Sequence, residues 1–487
     1  MDFSNGRATD NSSPGFISFR DPSGQLIING NRVFRVVGEA ASDATKKVLA
    51  APLTAELIAK KLLVATKQID GDEVLPQLNG SMPQSAPIVL EHEQIGFVSY
   101  PYEWPPEMLN AAGELTLDLM ERLLAETYGL KDATPYNVLF NGPKPIFVDF
   151  LSIEERDPLD PTWMPYAQFV RTFIRPLLAN KYFALGLDQT FRVYRDGLQP
   201  EHVFRMLSFR QKLLPLFLTS VSLPVVLSRM KSARSDDLYR PRKARSVEEA
   251  RFILQRQVRG LRRKLRAAVP DPGRASTWVD YETSDDREKS YLPFKSDFIE
   301  KTITNVRPKT VLDVGCNRGH FSLLAAKAGC SVVAIDQDAV VVGALWREAS
   351  RSNRDILPLV VDLTRPTAGL GWRNMETRGF LDRALGSFDC VFMLAVIHHM
   401  LVTERIPLVE ILKLASELTR DRLIIEWVDP EDQMFRMLTR GNQKLYESLT
   451  RELFEDTSAK YFSIERKESF EDGHRTLYEM RRRHPLV

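Results

Sequence analysis

Cysteine is scarce. Cys316, Cys330 and Cys390 are the three in 487 residues. They sit in apolar or motif contexts, so a disulfide framework is not expected and a reducing compartment is. An excess of one charge is lacking too. Lysine and arginine total 66 against 64 acids, a formal +2, so the overall field steers the molecule to no particular partner. No clean run of eighteen apolar residues is available to span a bilayer. The most apolar stretch, Leu213 to Leu227, is short and broken by Pro215 and Pro224. The start, Met1-Asp2-Phe3-Ser4-Asn5-Gly6, shows no basic segment leading into an apolar one. No secretory signal is therefore expected, and a cytoplasmic location is the default expectation. No His, Cys and Asp cluster has metal-ligand spacing, so no metal site is expected. The length suggests two or three domains.

The stretch Val311 to Asp338 reads as strand, tight turn, helix, strand and acidic tip. Val311 to Val314 is the apolar run of a strand buried on both faces. Gly315 and Gly319 bracket the turn, where a missing Cβ lets a ligand approach the backbone. Phe321, Leu324, Ala325 and Ala328 recur at helical spacing, and Gly329 stops the helix. Asp336 ends the next strand, about twenty residues after the glycines, where a carboxylate can accept hydrogen bonds from both ribose hydroxyls. A pyrophosphate on a helix N-terminus calls for G-x-G-x-x-G. Here the turn is Asp313-x-Gly315-x-x-x-Gly319, and its carboxylate repels phosphate but suits a sulfonium or ammonium. A βαβ unit without ligand is the alternative; it leaves both acids at this spacing unexplained.

Ile356 to Leu363 is expected as a third strand tipped by Asp362, a position where a lone Asp is also an ordinary helix cap. The long connection Pro366 to Gly386 holds Trp372, Arg373 and Asn374. Long loops at strand C-termini carry substrate contacts in open α/β sheets, so these three are substrate-side candidates, with a plain surface loop as the alternative. Ser387 to Met400 is a fourth strand running into a turn at His398 and His399. A neutral imidazole there could take a proton from a hydroxyl or amine. The two point in different directions, so at most one serves; capping and packing are the other uses. Arg422 to Val428 is a fifth strand with Glu426, and residues 462–464 and 476–480 form a closing antiparallel pair.

These residues resemble class I S-adenosylmethionine-dependent methyltransferases, whose first motif is D-x-G-x-x-x-G followed by an acidic second-strand tip. The resemblance spans residues 280 to 480. It implies an α/β fold with a Rossmann-like seven-stranded C-terminal domain and S-adenosyl-L-methionine as cofactor. By it, the cofactor site comprises Asp313, Gly315, Cys316, Asn317, Gly319, Asp336, Gln337, Asp362 and Leu363. Gly315 to Gly319 would cradle the amino-acid part, Asp336 the ribose and Asp362 the adenine. His398, His399 and Glu426 would face the acceptor as catalytic candidates. Tyr281, Tyr291 and Lys295, ahead of the first strand, are lid candidates.

The first half carries a second pattern. Residues 1–15, rich in Ser, Asn, Asp and Gly, are expected to be a disordered tail. Strands are expected at Phe16 to Arg20, Leu26 to Ile28, Val33 to Val37, Pro87 to Leu90 and Ile95 to Tyr100, with helices at Pro52 to Thr66 and Met108 to Tyr128. Asp132 and Asn137 have the D-x-x-x-x-N spacing of a phosphotransfer loop, and Asp149 follows a short strand as a metal-binding Asp would. The stretch resembles the loop of aminoglycoside-phosphotransferase-like kinases. This implies an α+β kinase-like domain over 16–205, with Mg-ATP as its ligand if it binds nucleotide. The sequence departs from that pattern: Leu130-Lys131 stand where a His usually precedes the Asp, no glycine follows Phe150, and no G-x-G-x-x-G lies upstream. No strand lysine stands out among Lys46, Lys47, Lys60 and Lys61. A degenerate module used for binding, an active kinase and a coincidental polar turn all remain.

Residues 206–275 are expected to be a helical connector, beginning with a buried hairpin at Leu213 to Leu227. Arg240 to Arg245 is basic, and Ser246-Val247-Glu248-Glu249 is a capping box. Leu254, Val258, Leu261 and Leu265 then share one face, ringed by Arg256, Arg259, Arg262, Arg263 and Lys264. Such a helix can meet nucleic acid or, weakly, an acidic membrane surface; a solvated connector looks the same. No aromatic for base stacking lies on its basic face, which argues against nucleic acid. The domain over 276–487 follows.

The motif at Leu130 to Asp149, with Gly371-Trp372-Arg373-Asn374 and Ile397-His398-His399, resembles the bacterial methyltransferases related to the nodulation protein NoeA. The function implied is methyl transfer from S-adenosylmethionine to an oxygen or nitrogen of an unidentified acceptor, small-molecule or glycan-like rather than nucleic acid. The first domain would bind acceptor or nucleotide. The competing readings are a small-molecule kinase with a fused regulatory methyltransferase-like domain and a non-catalytic binding protein. Oligomeric state is left open.

Overall fold

The computed structural model describes residues 16–18, 20–71, 88–230, 243–274, 286–471 and 473–483. The expected tail at 1–15, Phe19, Pro87, Arg240 to Arg242 and Tyr281 lie outside the described residues.

The chain opens with a five-stranded antiparallel sheet: β1 (Phe16–Ile17), β2 (Gly24–Asn29), β3 (Arg32–Val37), β4 (Thr66–Ile69) and β5 (Ile88–His92), in spatial order β1-β2-β3-β5-β4. Alternate apolar residues, Ile27, Phe34, Val36 and Val89, pack on one face. Helices Glu39–Ala50 and Pro52–Ala59 separate β3 from β4. The first escapes pattern reading because its buried face holds Ser42 and Thr45 beside Val48. The second stops at Ala59, short of the expected Thr66. Helix Pro106–Leu123 follows, buried along most of its length. After it come β6 (Tyr128–Leu130), the hairpin β7 (Val138–Asn141) to β8 (Lys144–Phe147), and β9 (Ile153–Glu155), which pairs with β6. Ile95 to Tyr100 is irregular chain rather than the expected strand. Its backbone serves another end, since the Val98 carbonyl accepts from the Arg383 guanidinium.

The apolar stretch after Met206 breaks into short helices, Phe209–Leu213, Pro215–Phe217 and Leu223–Met230, with a π-turn before the last. Phe217, Val221 and Val225 are buried, but Leu213, Leu214, Leu223, Val226 and Leu227 are exposed. The expectation of a buried hairpin therefore fails on one face. Helix Val247–Ala268 lays Leu254, Val258, Leu261 and Leu265 inward. Leu265 meets Gly113 of helix Pro106–Leu123 closely enough that a Cβ there would lie 2.9 Å from its Cδ2. Arg262 pairs with Glu114 and Glu121, and Arg266 with Glu114. These two cations are taken by the protein itself, and the helix packs as a connector, with its apolar face inward.

The last half is a seven-stranded sheet: β10 (Thr310–Val314), β11 (Ser331–Asp336), β12 (Ile356–Val360), β13 (Phe388–Met393), β14 (Thr419–Val428), β15 (Phe462–Ser469) and β16 (Arg475–Arg482). Their order is β12-β11-β10-β13-β14-β16-β15, parallel except for β16, which runs antiparallel to both neighbours. The central strands are buried runs of Val, Ile, Leu and Phe, as a sheet covered on both faces requires. The order reverses between β10 and β13, which opens a crevice at the strands' C-terminal ends. Helix Asp286–Val306 leads in, with Pro293 inside it.

The halves dock. Phe97 lies 5.9 Å from Phe380 and 5.7 Å from Phe388 between ring centroids. Trp346 Nε1 donates to the Pro143 carbonyl at 3.0 Å, Arg347 reaches Glu107 at 2.5 Å, and Arg20 reaches Glu376 at 2.6 Å. Glu103 and Arg383 form a buried pair.

Candidate functional site

A cavity of about 460 Å³ opens where the sheet order reverses, a size in the usual range for a small-molecule site. Asp313, Gly315, Cys316, Asn317, Asp336, Gln337, Asp362 and Leu363 all line it. Gly319 does not. It caps helix His320–Lys327 with φ +79°, and a Cβ there would meet Leu345 at 2.2 Å. Gly315 has φ +70°, and a Cβ on it would stand 2.6 Å from Val396.

The acids are set by the strand ends. Asp313 is buried at the end of β10, where its Oδ2 accepts from Ser322 Oγ at 2.5 Å. Burial pushes its carboxyl up to about 6, and the Ser322 hydrogen bond holds it back. Asp336, at the tip of β11, accepts from the Asn317 and Asp338 amides at 3.0 and 2.9 Å. Burial raises it too, against those two bonds. Asp362 accepts from the Thr364 amide at 2.9 Å and from Arg365 at 3.3 Å. It therefore caps its own turn as well as lining the cavity. The Asn317 Oδ1 is buried with no hydrogen-bond partner in the protein. Burial raises the Cys316 thiol well above its usual value, so this cysteine is a lining group and not a nucleophile.

On the side formed by β13 and the lead-in helix, the cavity is lined by Tyr291, Lys295, Val396, His399, Met400 and Thr403. His399 is held below its ordinary value by burial and is neutral at physiological pH. His398 does not line the cavity. It is 1% exposed, burial drives it well below its usual value, and neither ring nitrogen has a partner. Glu426 is fully buried behind the cavity, pairing with Lys295 at 2.8 Å and Arg475 at 3.5 Å. Of the three residues expected to face the acceptor, the structure brings His399 to the cavity and leaves His398 and Glu426 behind its wall.

Trp372, Arg373 and Asn374 do not line the cavity either. They form a short exposed turn whose neighbour Glu376 is gripped by Arg20 and Arg195 of the first half. The neighbouring Glu376 thus ties this loop to the first half. Tyr291 and Lys295, two of the lid candidates, line the cavity, as does Leu438, on the helix after β14, which no local motif announces.

In the first half, Asp149 pairs with Arg35 at 3.1 Å. Burial raises its carboxyl, and Arg35 pulls it back. Asp132 accepts from Gln168 at 3.3 Å, and the Asn137 side-chain amide is buried without a partner. Arg35 lies on β3, and Asp21 of the β1–β2 turn approaches it to 3.7 Å. It is the one cation inside the apolar run Val33-Phe34-Arg35-Val36-Val37. Among the described residues no group of His, Cys, Asp or Glu could hold a metal ion, and no helix is long and apolar enough to cross a membrane.

Comparison with known proteins places these features. The family described as a methyltransferase domain matches residues 285–465. The chain is 28% identical to the nodulation protein NoeA of Rhizobium meliloti (strain 1021) over 468 residues, covering 96% of this chain and 95% of that one. Magnesium protoporphyrin IX methyltransferase from Synechocystis PCC 6803, solved with bound S-adenosylhomocysteine, aligns with 41% of this chain and 89% of its own at 18% identity and a TM-score of 0.30. The bifunctional kinase-methyltransferase WbdD aligns with 44% of this chain and 43% of its own at 17% identity and a TM-score of 0.31. The C-terminal half is a methyltransferase domain.

Proposed function

We propose that this S-adenosylmethionine-dependent methyltransferase moves a methyl group onto an oxygen or nitrogen of a small-molecule or glycan-like acceptor, and that its first half binds the acceptor or a nucleotide. The observation that carries the reading is the charge of the cavity. Asp313, Asp336, Asp362 and Glu404 line it, while among the described residues the one lining Lys or Arg, Lys295, is paired with Glu426. Among the described residues a pyrophosphate would find no unpaired Lys or Arg in the lining, whereas a ligand with a sulfonium and an ammonium meets acids. The residues fit the cofactor. Asn317 offers an unpartnered buried acceptor beside the Gly315 turn, suited to an ammonium group, and Asp336 keeps lone pairs for ribose hydroxyls. When bound, the cofactor supplies an electrophilic methyl group. His399 would then accept the proton that the acceptor loses, its neutral imidazole being maintained by burial. The cavity walls would align the two reactants, the larger share of the acceleration when the electrophile is already good.

The first half supports a kinase-like reading in its order of parts: an antiparallel five-stranded sheet, helices after β3, a long buried helix, a polar loop and a hairpin ending in Asp149. Arg35 in place of a strand lysine, and Asp21 set against it, favour a binding module over an active kinase. Calorimetry tests both halves. S-adenosylmethionine is expected to bind at micromolar concentration and to lose at least about ten-fold in affinity in Asp336→Ala, since each hydrogen bond to a charged group is worth roughly 1.5–3 kcal/mol. Magnesium-ATP bound by the wild type and lost in Asp149→Ala would move the first half to the kinase reading. If neither ligand binds, the proposal fails. Incubating cell extract with labelled S-adenosylmethionine then identifies the acceptor.

A further inference from the structure

The exposed apolar side chains between the two halves are not scattered. Phe209 is 78% exposed and Leu213 60%, and they stand four residues apart on one short helix. Leu223, Val226 and Leu227, at i, i+3 and i+4, are exposed on helix Leu223–Met230. Ser222 Oγ donates to the Lys212 carbonyl at 2.9 Å, which brings the end of the first helix to the start of the second. The opposite side is anchored by buried Phe217, Val221 and Val225, so the exposed residues are held in place rather than left over from a loose segment. Contiguous apolar surface of this kind on a folded protein marks a contact site.

The sequence of these helices carries charge of one sign. From His202 to Met230 the chain holds Arg205, Arg210, Lys212 and Arg229 and no Asp or Glu. Such a surface fits an interface that is apolar within and anionic at its edge. A second copy of the chain fits poorly, because a two-fold contact would set these cations against themselves. Among the described residues no helix is long and apolar enough to span a bilayer, but a short amphipathic face can lie in the headgroup layer with its apolar residues dipping into the acyl boundary.

We infer that the face formed by Phe209, Leu213, Leu214, Leu223, Val226 and Leu227 docks the protein onto the surface of an anionic phospholipid bilayer. The protein touches lipid through this patch, and not through the basic helix at 247–268, whose Arg262 and Arg266 are engaged with Glu114 and Glu121.

The test is sedimentation of the full chain with vesicles of phosphatidylglycerol and phosphatidylcholine, against vesicles of phosphatidylcholine alone. Binding is expected to the first and not the second, and to weaken as salt rises. The double variant L213E/L227E is expected to lower the partition coefficient about ten-fold or more, since acids replace apolar groups that would insert. R210E is expected to lower it about five-fold or more, from the loss of one cation near an anionic surface. Both sites are exposed, so an unchanged thermal midpoint and unchanged S-adenosylmethionine binding show that the variants are folded. Absence of sedimentation with anionic vesicles overturns the inference, as does equal sedimentation of L213E/L227E. A concentration-dependent dimer that L213E/L227E dissolves, without vesicle binding by the wild type, also overturns it and assigns the face to a second copy.

Discussion

Replacing Glu103 with alanine strands a buried guanidinium. Glu103 is 1% exposed, and it faces Arg383 through both carboxylate oxygens, one contact at 3.2 Å. Burial pushes the Glu103 carboxyl up, and Arg383 is what holds it back. Removing one partner of such a pair costs about 3–5 kcal/mol, because the other charge stays desolvated. Here Arg383 would keep the Val98, Arg378 and Gly379 carbonyls and lies over Phe97, Tyr100 and Phe380 at 5.2, 4.9 and 5.6 Å. These contacts place Glu103→Ala at the lower end, near 3 kcal/mol. At about 2–4 °C per kcal/mol for a domain of this size, the unfolding midpoint should fall by roughly 6–12 °C. Glu103→Leu with Arg383→Met should recover most of that, since apolar replacement of a whole buried pair is often neutral. Scanning calorimetry of both single variants and the double completes the cycle. A fall below about 2 °C for Glu103→Ala, or a double variant as unstable as the sum of the singles, would refute the assignment of this pair as the tie between the halves.

Three further outcomes are expected. S-adenosylmethionine affinity should rise with pH through about 6 and lose that dependence in Asp313→Asn, because the bound cation favours the ionised carboxylate. The sign for stability is opposite. Asp313 is raised in the folded chain, so its contribution is present below the ordinary carboxylate value and lost as pH rises through about 6; a melting profile that climbs over that window because of Asp313 would contradict its burial. His399→Ala should cut kcat by about 10²–10⁴ if it accepts the acceptor's proton, with cofactor affinity held, whereas His398→Ala should act on thermal stability and leave the pH profile of kcat in place. Gly319→Ala should destabilise by roughly 1–2 kcal/mol for its positive φ alone, read as a lower melting midpoint, and a midpoint equal to wild type would show that Leu345 and the turn adjust freely.

The sequence displayed the methyltransferase half well because its markers are local. A strand, a glycine turn and an acidic tip fall within thirty positions, and Asp313, Asp336 and Asp362 reach one cavity whatever the loops do. The docking surface was hidden because its partners are far apart in the chain. Arg383 and Glu103 are 280 positions apart, and no periodicity links them. Ile95 to Tyr100 therefore read as a strand. The choice between His398 and His399 was equally invisible. Adjacent helical residues diverge by about 100°, and only the packing of helix Ile397–Val402 decides which one meets the cavity.

The grip of Arg20 and Arg195 on Glu376 bears on how such a chain can be taken apart. A fragment that begins at Asp286 would keep the seven-stranded sheet, yet it would carry Glu376 and Arg383 with no counter-charges and Phe380 without Phe97. The fragment before it would expose Glu103 and Glu107. Neither piece is a finished surface. A gene split between them would yield two products that need each other at the moment of folding, so recombination that exchanged one half alone would have to bring a matching complement of charges with it.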